Sequence, residues 1–365
     1  MGTLAVALRF CVLILATTVP SATASLPEKD TPYPTLVTAA TRADAEALAE
    51  LEKPGEVFFR EDFEAKNALD KYFDVSGRKQ AKAASKKEGF AFVTRDRAFA
   101  HGGVGALRCT TIDMQGQSSS ADVNYWFGQP RRVDNKEVDP GYERVHLRCY
   151  IKWDKSYDGG RFDHTGVTLA AGAGDNKWEG MKGGGTRPKG DDYCLTRFEA
   201  SVEGNRHPTP GALYSYTTWM DMKSGAQGKY WGNALWPEDN ERFLPEPGEW
   251  YCIEQMIKLN SFKDDLPQND GELATWIDGK LYTHFTGIRW RSSPAVRLKR
   301  CSLSVYVYKS EKENTVWFDD LALSTGYIGP IKDEKAKAKD PKPTPPALSA
   351  DPQGQAPAER GTSGK

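Results

Sequence analysis

Basic and aromatic polar side chains recur at every second position along four stretches of this sequence. Alternate side chains of a β-strand point to opposite faces of its sheet, so residues two positions apart share a face. If all four stretches lie in one sheet, their side chains form a groove rich in arginine, lysine and tyrosine. The members of this set are His146, Arg148, Tyr150, Lys152, Arg197, Glu199, Tyr214, Tyr216, Glu254 and Lys258.

A groove with these side chains would suit an acidic sugar polymer. Arginine binds carboxylates in a bidentate manner, whereas tyrosine rings stack on pyranose faces and donate a hydrogen bond from the hydroxyl. The alternative is the ordinary solvated face of an antiparallel sheet, which is also polar. The residues alone leave both interpretations open.

The stretch 250–290 predicts the core of the architecture. Residues 251–259 alternate between apolar and polar types, and a turn at Pro267–Gly271 leads to a second alternating run, Glu272–Ile277. Asp278-Gly279 is a typical two-residue hairpin turn, and the chain returns through Leu281–Phe285. Three antiparallel strands in succession are therefore expected.

Other short alternating runs extend this pattern over most of the chain, with almost no helical periodicity. We expect an all-β protein, a sandwich of two antiparallel sheets, in which the 11% of aromatic residues fill the interior. The runs are Val57–Phe63, Phe90–Thr94, Gly105–Thr111, Ala121–Phe127, Glu143–Trp153, Tyr193–Glu203, Leu213–Trp219, Cys301–Lys309 and Thr315–Ser324.

The ends of the chain differ in composition from the strand region. Residues 1–24 contain Arg9, an apolar run too short to span a bilayer and a small-residue site before Ser25, so they predict a signal peptide and a secreted or periplasmic protein. Residues 25–56 are expected to form a lead-in with a helix over Thr41–Leu51. The β domain is assigned to 57–329. Residues 330–365 are predicted to be a disordered tail rich in lysine and proline.

Charge and cysteine content narrow the possible partners. The net charge of −1 gives no sign of nucleic-acid binding, and no other stretch predicts a membrane span. We expect a monomer. Five cysteines follow the signal segment, and the sequence leaves open whether they form disulfides or remain small buried side chains. They are Cys109, Cys149, Cys194, Cys252 and Cys301.

No cofactor is expected, although one group of carboxylates is compatible with a structural calcium ion. Carboxylate oxygens are the ligands that calcium prefers, and two acidic clusters could supply them. Charges that keep an edge strand soluble are the alternative. The residues concerned are Glu61, Asp62, Glu64, Asp319 and Asp320.

Three segments together resemble a known group of proteins. The run QMIKLN at 255–260, the turn containing Asn269-Asp270-Gly271 and the strand ending WIDGK resemble concanavalin A-like jelly-roll domains. Over 57–329 the chain looks most like polysaccharide lyases of family fourteen, which cleave alginate and related polyuronates. The strand Arg148–Trp153 resembles the R-Y-Y-L-K-F strand of that family, and Arg197 resembles the arginine of its A-R-x-x-W motif.

The resemblance implies cleavage by β-elimination and assigns candidate roles. In the family, a lysine in a G-G-K-L-P-G stretch is regarded as catalytic, but this sequence has Gly159-Gly160-Arg161 there, and arginine is a poor base. His164, in a segment to which no strand is assigned, could transfer the proton instead, and the alternative is a loop histidine with no such role. The catalytic candidates are His164, Arg197, Tyr214 and Tyr216. The candidates for binding substrate are Arg148, Tyr150, Lys152, Arg161, Trp178, Glu199 and Lys258.

Two hypotheses from different classes remain at this point. The protein either cleaves a polyuronate or binds a glycan without cleaving it. A purely structural role as a surface or matrix domain is a third alternative. Trp231 and Trp236 compete with Trp178 as the ring on which a sugar would stack.

Overall fold

Strands dominate the part of the chain that the computed structural model describes, namely residues 33–77, 89–113, 117–133, 136–138, 140–160, 162–179, 184–203 and 206–332. The predicted signal peptide, the predicted tail beyond residue 332 and Arg161 lie outside these ranges. Within them, no helix has the length and apolarity that crossing a membrane requires.

Two short helices and a series of strands follow one another along the chain. The helices are α1 (Thr38–Ala43) and α2 (Ala45–Leu51). The first ten strands are β1 (Thr35–Leu36), β2 (Val57–Glu61), β3 (Asp74–Val75), β4 (Phe90–Thr94), β5 (Ala106–Thr110), β6 (Gln117–Trp126), β7 (Arg131–Val133), β8 (Lys136–Val138), β9 (Arg144–Trp153) and β10 (Phe162–Gly172). The others are β11 (Tyr193–Ser201), β12 (Ala212–Thr218), β13 (Asn233–Leu235), β14 (Tyr251–Lys258), β15 (Phe262–Lys263), β16 (Leu266–Pro267), β17 (Gly271–Ile277), β18 (Lys280–Ile288), β19 (Arg297–Ser310) and β20 (Thr315–Ser324).

The strands form two large antiparallel sheets that pack face to face. The front sheet has the order β13-β12-β11-β10-β19-β6-β3, and the back sheet has the order β1-β18-β17-β14-β9-β20-β5-β4, with β2 also paired to β20. One apolar cluster joins them, with Leu147 and Ile151 from the back sheet and Val167, Phe198 and Leu303 from the front sheet. The predicted sandwich of two antiparallel sheets is confirmed.

The meander at 251–288 forms as its sequence indicates. Strand β14 pairs with β17, and β17 pairs with β18. Asp278 and Gly279 have φ values of 49° and 78°, the left-handed conformation that a type I′ hairpin requires at both central positions. The turn residues therefore determine where β17 ends and β18 begins.

The region before residue 57 differs from the predicted lead-in. Strand β1 pairs with β18, so the back sheet begins before the predicted boundary. The short helix predicted over Thr41–Leu51 is present as α2 but begins at Ala45, because the chain leaves the helical conformation at Asp44. The carboxylate of Asp44 accepts hydrogen bonds from the amides of Glu46 and Ala47 and so caps α2.

The five described cysteines are free thiols, and all are buried. Burial raises the pKa of Cys109 and Cys149 well above the ordinary value for a thiol, since a thiolate would lose its hydration there. Of the two alternatives that the sequence leaves open, the structure favours small buried side chains over disulfides.

Phe198→Ala is expected to lower the free energy of unfolding by about 3–5 kcal/mol. The Phe198 side chain is 0% exposed, and its ring centroid lies 6.1 Å from that of Tyr282, so truncation leaves a cavity between the sheets. Urea denaturation measures the loss. Phe92→Ala is the control, because Phe92 is 43% exposed on an edge strand. Equal losses in the two variants would contradict the packing described here.

Candidate functional site

The outward face of the front sheet forms an open groove of about 370 Å³. Residues of β11 alternate across the sheet: Phe198 points into the core, whereas Arg197 and Glu199 belong to the outward face. The groove lining includes Asp122, His164, Thr168, Arg197, Tyr216, Trp231, Ser302 and Tyr306. Another depression, of about 500 Å³, lies beside Phe90 and Phe92 and contains none of the predicted site residues.

Strand register brings the groove residues together. Arg197 pairs with Tyr216 on β12 and with Thr168 on β10, and Thr168 pairs with Ser302 on β19. Residues paired across antiparallel strands have neighbouring side chains on one face. Four residues that are distant in sequence therefore form one row across the groove floor.

His164 is held by a buried carboxylate. Its Nδ1 lies 2.8 Å from Glu199 Oε1, and the hydroxyl of Tyr214 donates to the same oxygen at 2.7 Å. Gly166, which is paired with Glu199, leaves this space open, because a Cβ at position 166 would lie 2.1 Å from the carbonyl oxygen of Phe198. Glu199 Oε1 already accepts from Tyr214, so we assign Nδ1 as a second donor to it, which leaves the lone pair of Nε2 free for a proton.

Tyr214 and Glu199 support His164 from below. The ring of Tyr214 stacks on Trp236 at a centroid distance of 4.3 Å, and burial together with Glu199 raises the pKa of its phenol well above the ordinary value. Glu199 is 1% exposed. The prediction that Glu199 contacts substrate is not supported, because its carboxylate is buried and its Oε1 contacts His164 and Tyr214. Tyr214 and Glu199 therefore orient the imidazole of His164.

Tyr216 lies beside His164 at the edge of the groove. Their ring centroids are 4.7 Å apart, and the Tyr216 hydroxyl donates to the backbone carbonyl of Trp231. Burial and the nearby Glu199 raise the pKa of Tyr216 to about 12, so the phenol keeps its proton at neutral pH. Trp231 is 52% exposed and lines the groove, which leaves its ring available for stacking.

Two guanidinium groups in the front sheet have donors without acceptors. The buried Nε of Arg197 has no hydrogen-bond partner, and no ion pair of Arg197 occurs among the residues that the structure describes. Arg300 is 1% exposed, and its Nε and Nη2 also have no partner in that part of the chain. Buried donors without partners are costly, so this region is suited to an anion.

Four residues predicted to bind substrate belong to the other sheet. Strands β9 and β14, which carry Arg148, Tyr150, Lys152 and Lys258, pair with each other in the back sheet. Their intervening residues, including Leu147 and Ile151, fill the core, so these polar side chains point away from the groove. The prediction that all the polar strands share one concave surface is wrong, because alternation fixes a face but not a sheet.

Partners on the back sheet account for these four side chains. Lys152 Nζ lies over the rings of Trp250 and Trp317, at 4.7 and 5.1 Å from their centroids. The hydroxyl of Tyr150 accepts from the amide of Ile331, and Lys258 pairs with Glu272 at 2.7 Å. Arg148 is 3% exposed, and its guanidinium lies over the ring of Tyr150 at 5.5 Å from the centroid, although its Nε and Nη1 have no hydrogen-bond partner in the described ranges. These contacts stabilise the fold instead of lining a binding surface.

The predicted stacking residues also separate. Trp178 is 44% exposed, but its ring packs edge-on against Phe73 at a centroid distance of 5.1 Å, and it is not part of the groove lining. Trp236 lies beneath Tyr214. Trp231 is therefore the tryptophan best placed to stack on a sugar in the groove.

The carboxylates considered for calcium are engaged by protein donors. Glu64 accepts from the amides of Val104 and Gly105 at 2.7 Å, and Asp320 lies 2.7 Å from His101 Nδ1. Burial and the neighbouring Asp320 raise the pKa of Asp319 to about 7, which weakens it as a cation ligand. In the described ranges, no group of three potential metal-ligating side chains comes together.

The sequence interpretation missed two features of this site. No strand was assigned to 162–172, although β10 lies at the centre of the front sheet and carries His164. Arg300 was missed because the last front strand was begun at Cys301. Extending the alternation Ser302, Ser304 and Tyr306 back by two positions would have placed Arg300 on the same face.

Comparisons with known proteins agree with the fold. The alginate lyase vAL-1 from Chlorella virus is 17% identical, with a TM-score of 0.50 over 74% of this chain and 100% of that one. The endo-β-1,4-glucuronan lyase from the fungus Trichoderma reesei is 14% identical, with a TM-score of 0.46 over 74% of this chain and 96% of that one. The PL-14 alginate lyase from Aplysia kurodai is 12% identical, with a TM-score of 0.40 over 64% of this chain and 87% of that one.

The similarity to vAL-1 confirms the jelly-roll fold that the sequence resemblance implied. No family model matches the sequence. No curated protein matches it significantly.

Proposed function

We propose that this protein is a secreted polysaccharide lyase that cleaves a polyuronate by β-elimination. The observation that carries the proposal is the arrangement of His164, Tyr216 and Arg197 in one groove, with His164 held on the buried Glu199. The jelly-roll fold, shared with an alginate lyase, supports it, and secretion rests on the sequence of residues 1–24.

In β-elimination a base removes the C5 proton of a uronate unit. The electron pair of the C5–H bond forms a C4=C5 double bond as the bond from C4 to the glycosidic oxygen breaks, and an acid protonates the departing oxygen. His164 Nε2 is the base in this scheme, because Glu199 holds the Nδ1 proton. Tyr216 is the acid, since its raised pKa keeps the phenol protonated, and its hydroxyl exchanges the Trp231 carbonyl for the departing oxygen.

Arg197 stabilises the charge that develops during proton removal. Negative charge moves onto the C6 carboxylate as C5 loses its proton, and a fixed guanidinium beside that carboxylate lowers the energy of the transition state. The side chain of Arg197 is half-buried and has no protein counterion in the described ranges, so its charge is available to substrate.

The assay follows the absorbance of the unsaturated product after incubation with alginate or polyglucuronate. Wild-type protein should produce new absorbance with at least one of these polymers. If polymer binds and no double bond forms, the protein is a carbohydrate-binding domain without lyase activity. If neither polymer binds, both functions are excluded for these two polymers.

Arg197→Ala should raise the KM or Kd for the polymer by roughly ten- to a hundred-fold, because a charge-assisted contact is worth about 1.5–3 kcal/mol. Arg197→Lys should lose less, since lysine keeps the charge but not the planar fork. Added salt should weaken binding by wild type more than binding by Arg197→Ala. Binding that depends on neither salt nor Arg197 would point to a neutral ligand.

A further inference from the structure

Arg300 is a buried cation that forms no ion pair with the part of the chain that the structure describes. Its Nη1 donates to Asn124 Oδ1 at 3.0 Å and to Ser302 Oγ at 3.3 Å. No ion pair of Arg300 occurs within 4.0 Å among the residues that the structure describes, and Nε and Nη2 have no partner there. The two neutral contacts orient the guanidinium but leave its charge uncompensated.

Register places this guanidinium beside the row that contains Arg197. Arg197, Thr168, Ser302 and Asn124 are paired in turn across β11, β10, β19 and β6. Arg300 reaches Ser302 and Asn124 of this row from two residues earlier on β19. Neighbouring strands are about 4.8 Å apart, so Arg197 and Ser302 begin roughly 10 Å apart on the same floor.

The two arginines disfavour each other's charge in the absence of an anion. Burial, and then the proximity of Arg197, lower the pKa of Arg300 to about 10, which still leaves it protonated at neutral pH. The charge of Asp122 favours the protonated form of Arg300, but burial raises the pKa of Asp122, and its carboxylate accepts from the Ser76 hydroxyl at 3.0 Å. A bound anion would offset the repulsion between the arginines and the desolvation of Arg300.

We propose that the groove floor is a carboxylate subsite in which Arg197 contacts the carboxylate and Arg300, behind Ser302, supplies a second positive charge that selects uronate over neutral sugar. This inference rests on the proposed function, because its ligand is a unit of the same acidic polymer. Ser302, which lines the groove and contacts Arg300, separates the guanidinium from the open space.

The aromatic residues around this floor indicate that the anion is carried by a sugar. Tyr216, Trp231 and Tyr306 line the same groove, and aromatic faces bind pyranose rings. Carboxylate is the expected anion because the guanidinium of Arg197 provides a planar donor edge that matches it. Sulfated sugar would use the same charges and is therefore included in the test as a competing ligand.

The experiment measures binding by calorimetry on the full chain in a His164→Gln background, so that substrate is not consumed. The probes are tetramers of glucuronate and mannuronate, neutral cellotetraose and sulfated cellotetraose. Arg300→Met should weaken the binding of the preferred uronate tetramer by roughly ten-fold or more and leave the binding of cellotetraose unchanged. Arg300→Lys should retain part of the uronate preference, because it keeps the charge.

Arg148→Met is the matched control. Arg148 is also an arginine in a strand, 3% exposed, with Nε and Nη1 unpartnered, but it lies in the back sheet. Its replacement should leave uronate binding unchanged, whereas a nonspecific loss of packing would affect both variants. If Arg300→Met does not fold, Arg300→Lys and the salt dependence of wild-type binding still test the subsite.

The outcomes separate the subsite from the proposed lyase activity. If uronate binding depends on Arg300 but the wild-type protein forms no double bond, the subsite is supported and the proposed lyase activity is excluded. Equal loss in Arg300→Met and Arg148→Met, no preference of the parent protein for uronate over cellotetraose, or tighter binding of the sulfated tetramer overturns the subsite.

Discussion

His164→Gln is expected to lower kcat on a polyuronate by roughly 10²- to 10⁴-fold, the usual contribution of a positioned general base. Glutamine can still donate to Glu199 but has no basic nitrogen to accept the C5 proton. Binding of polymer should change little, because Arg197 and Trp231 still line the groove when His164 is replaced. Product absorbance gives kcat, and calorimetry gives the Kd.

His101→Gln provides the control for this substitution. His101 also contacts a carboxylate, Asp320, with 2.7 Å between Nδ1 and Oδ2, but it stacks on Tyr150 of the back sheet. Its replacement should leave kcat within a few-fold of wild type. If His164→Gln retains the wild-type kcat, His164 is not the general base, and the proposed mechanism has no base.

Tyr216→Phe should also reduce kcat by roughly 10²- to 10⁴-fold, because the ring remains while the proton for the departing glycosidic oxygen is lost. The pKa of about 12 places ionisation of this phenol far above neutral pH. Wild-type activity should therefore not decline through ionisation of Tyr216 until the solution is strongly alkaline. Initial rates between pH 6 and pH 10 test this, since a decline assigned to the acid within that range would contradict it.

Tyr214→Phe distinguishes the two tyrosines. The Tyr214 hydroxyl donates to Glu199, so its removal frees an acceptor beneath His164 without removing a proton donor from the groove. The expected loss in kcat is smaller than for Tyr216→Phe. If Tyr214→Phe is the more damaging of the two, Tyr214 is the acid and Tyr216 is a binding residue.

The sequence by itself determined the strands and the faces of their side chains. Alternation correctly separates Arg197 and Glu199 from Phe198, and the Asp278-Gly279 pair locates the turn between β17 and β18. These features depend on interactions between residues that are near in sequence: the two-residue period of a strand and the φ values that a short turn allows. Such local rules could be applied without knowing the fold.

Local rules were weakest where composition misled them. The strand β10 contains three threonine or glycine residues near His164 and begins after two glycines, so it resembles a loop in composition. In the sheet it is flanked on both sides, by β11 and β19. Pairing on both edges supplies the hydrogen bonds that hold it extended, and no local pattern reports that pairing.

Only the tertiary structure decided which of the polar strands face the same groove. Arg148 and Arg197 have the same chemical type and similar alternating neighbours, yet β9 lies in the back sheet and β11 in the front sheet. The placement of each strand depends on pairing between segments far apart in sequence, such as β9 with β20 and β10 with β19. The same long-range register brings Glu199 to His164 and Arg300 towards Arg197, because side-chain periodicity is a property of one strand and a site is a property of several.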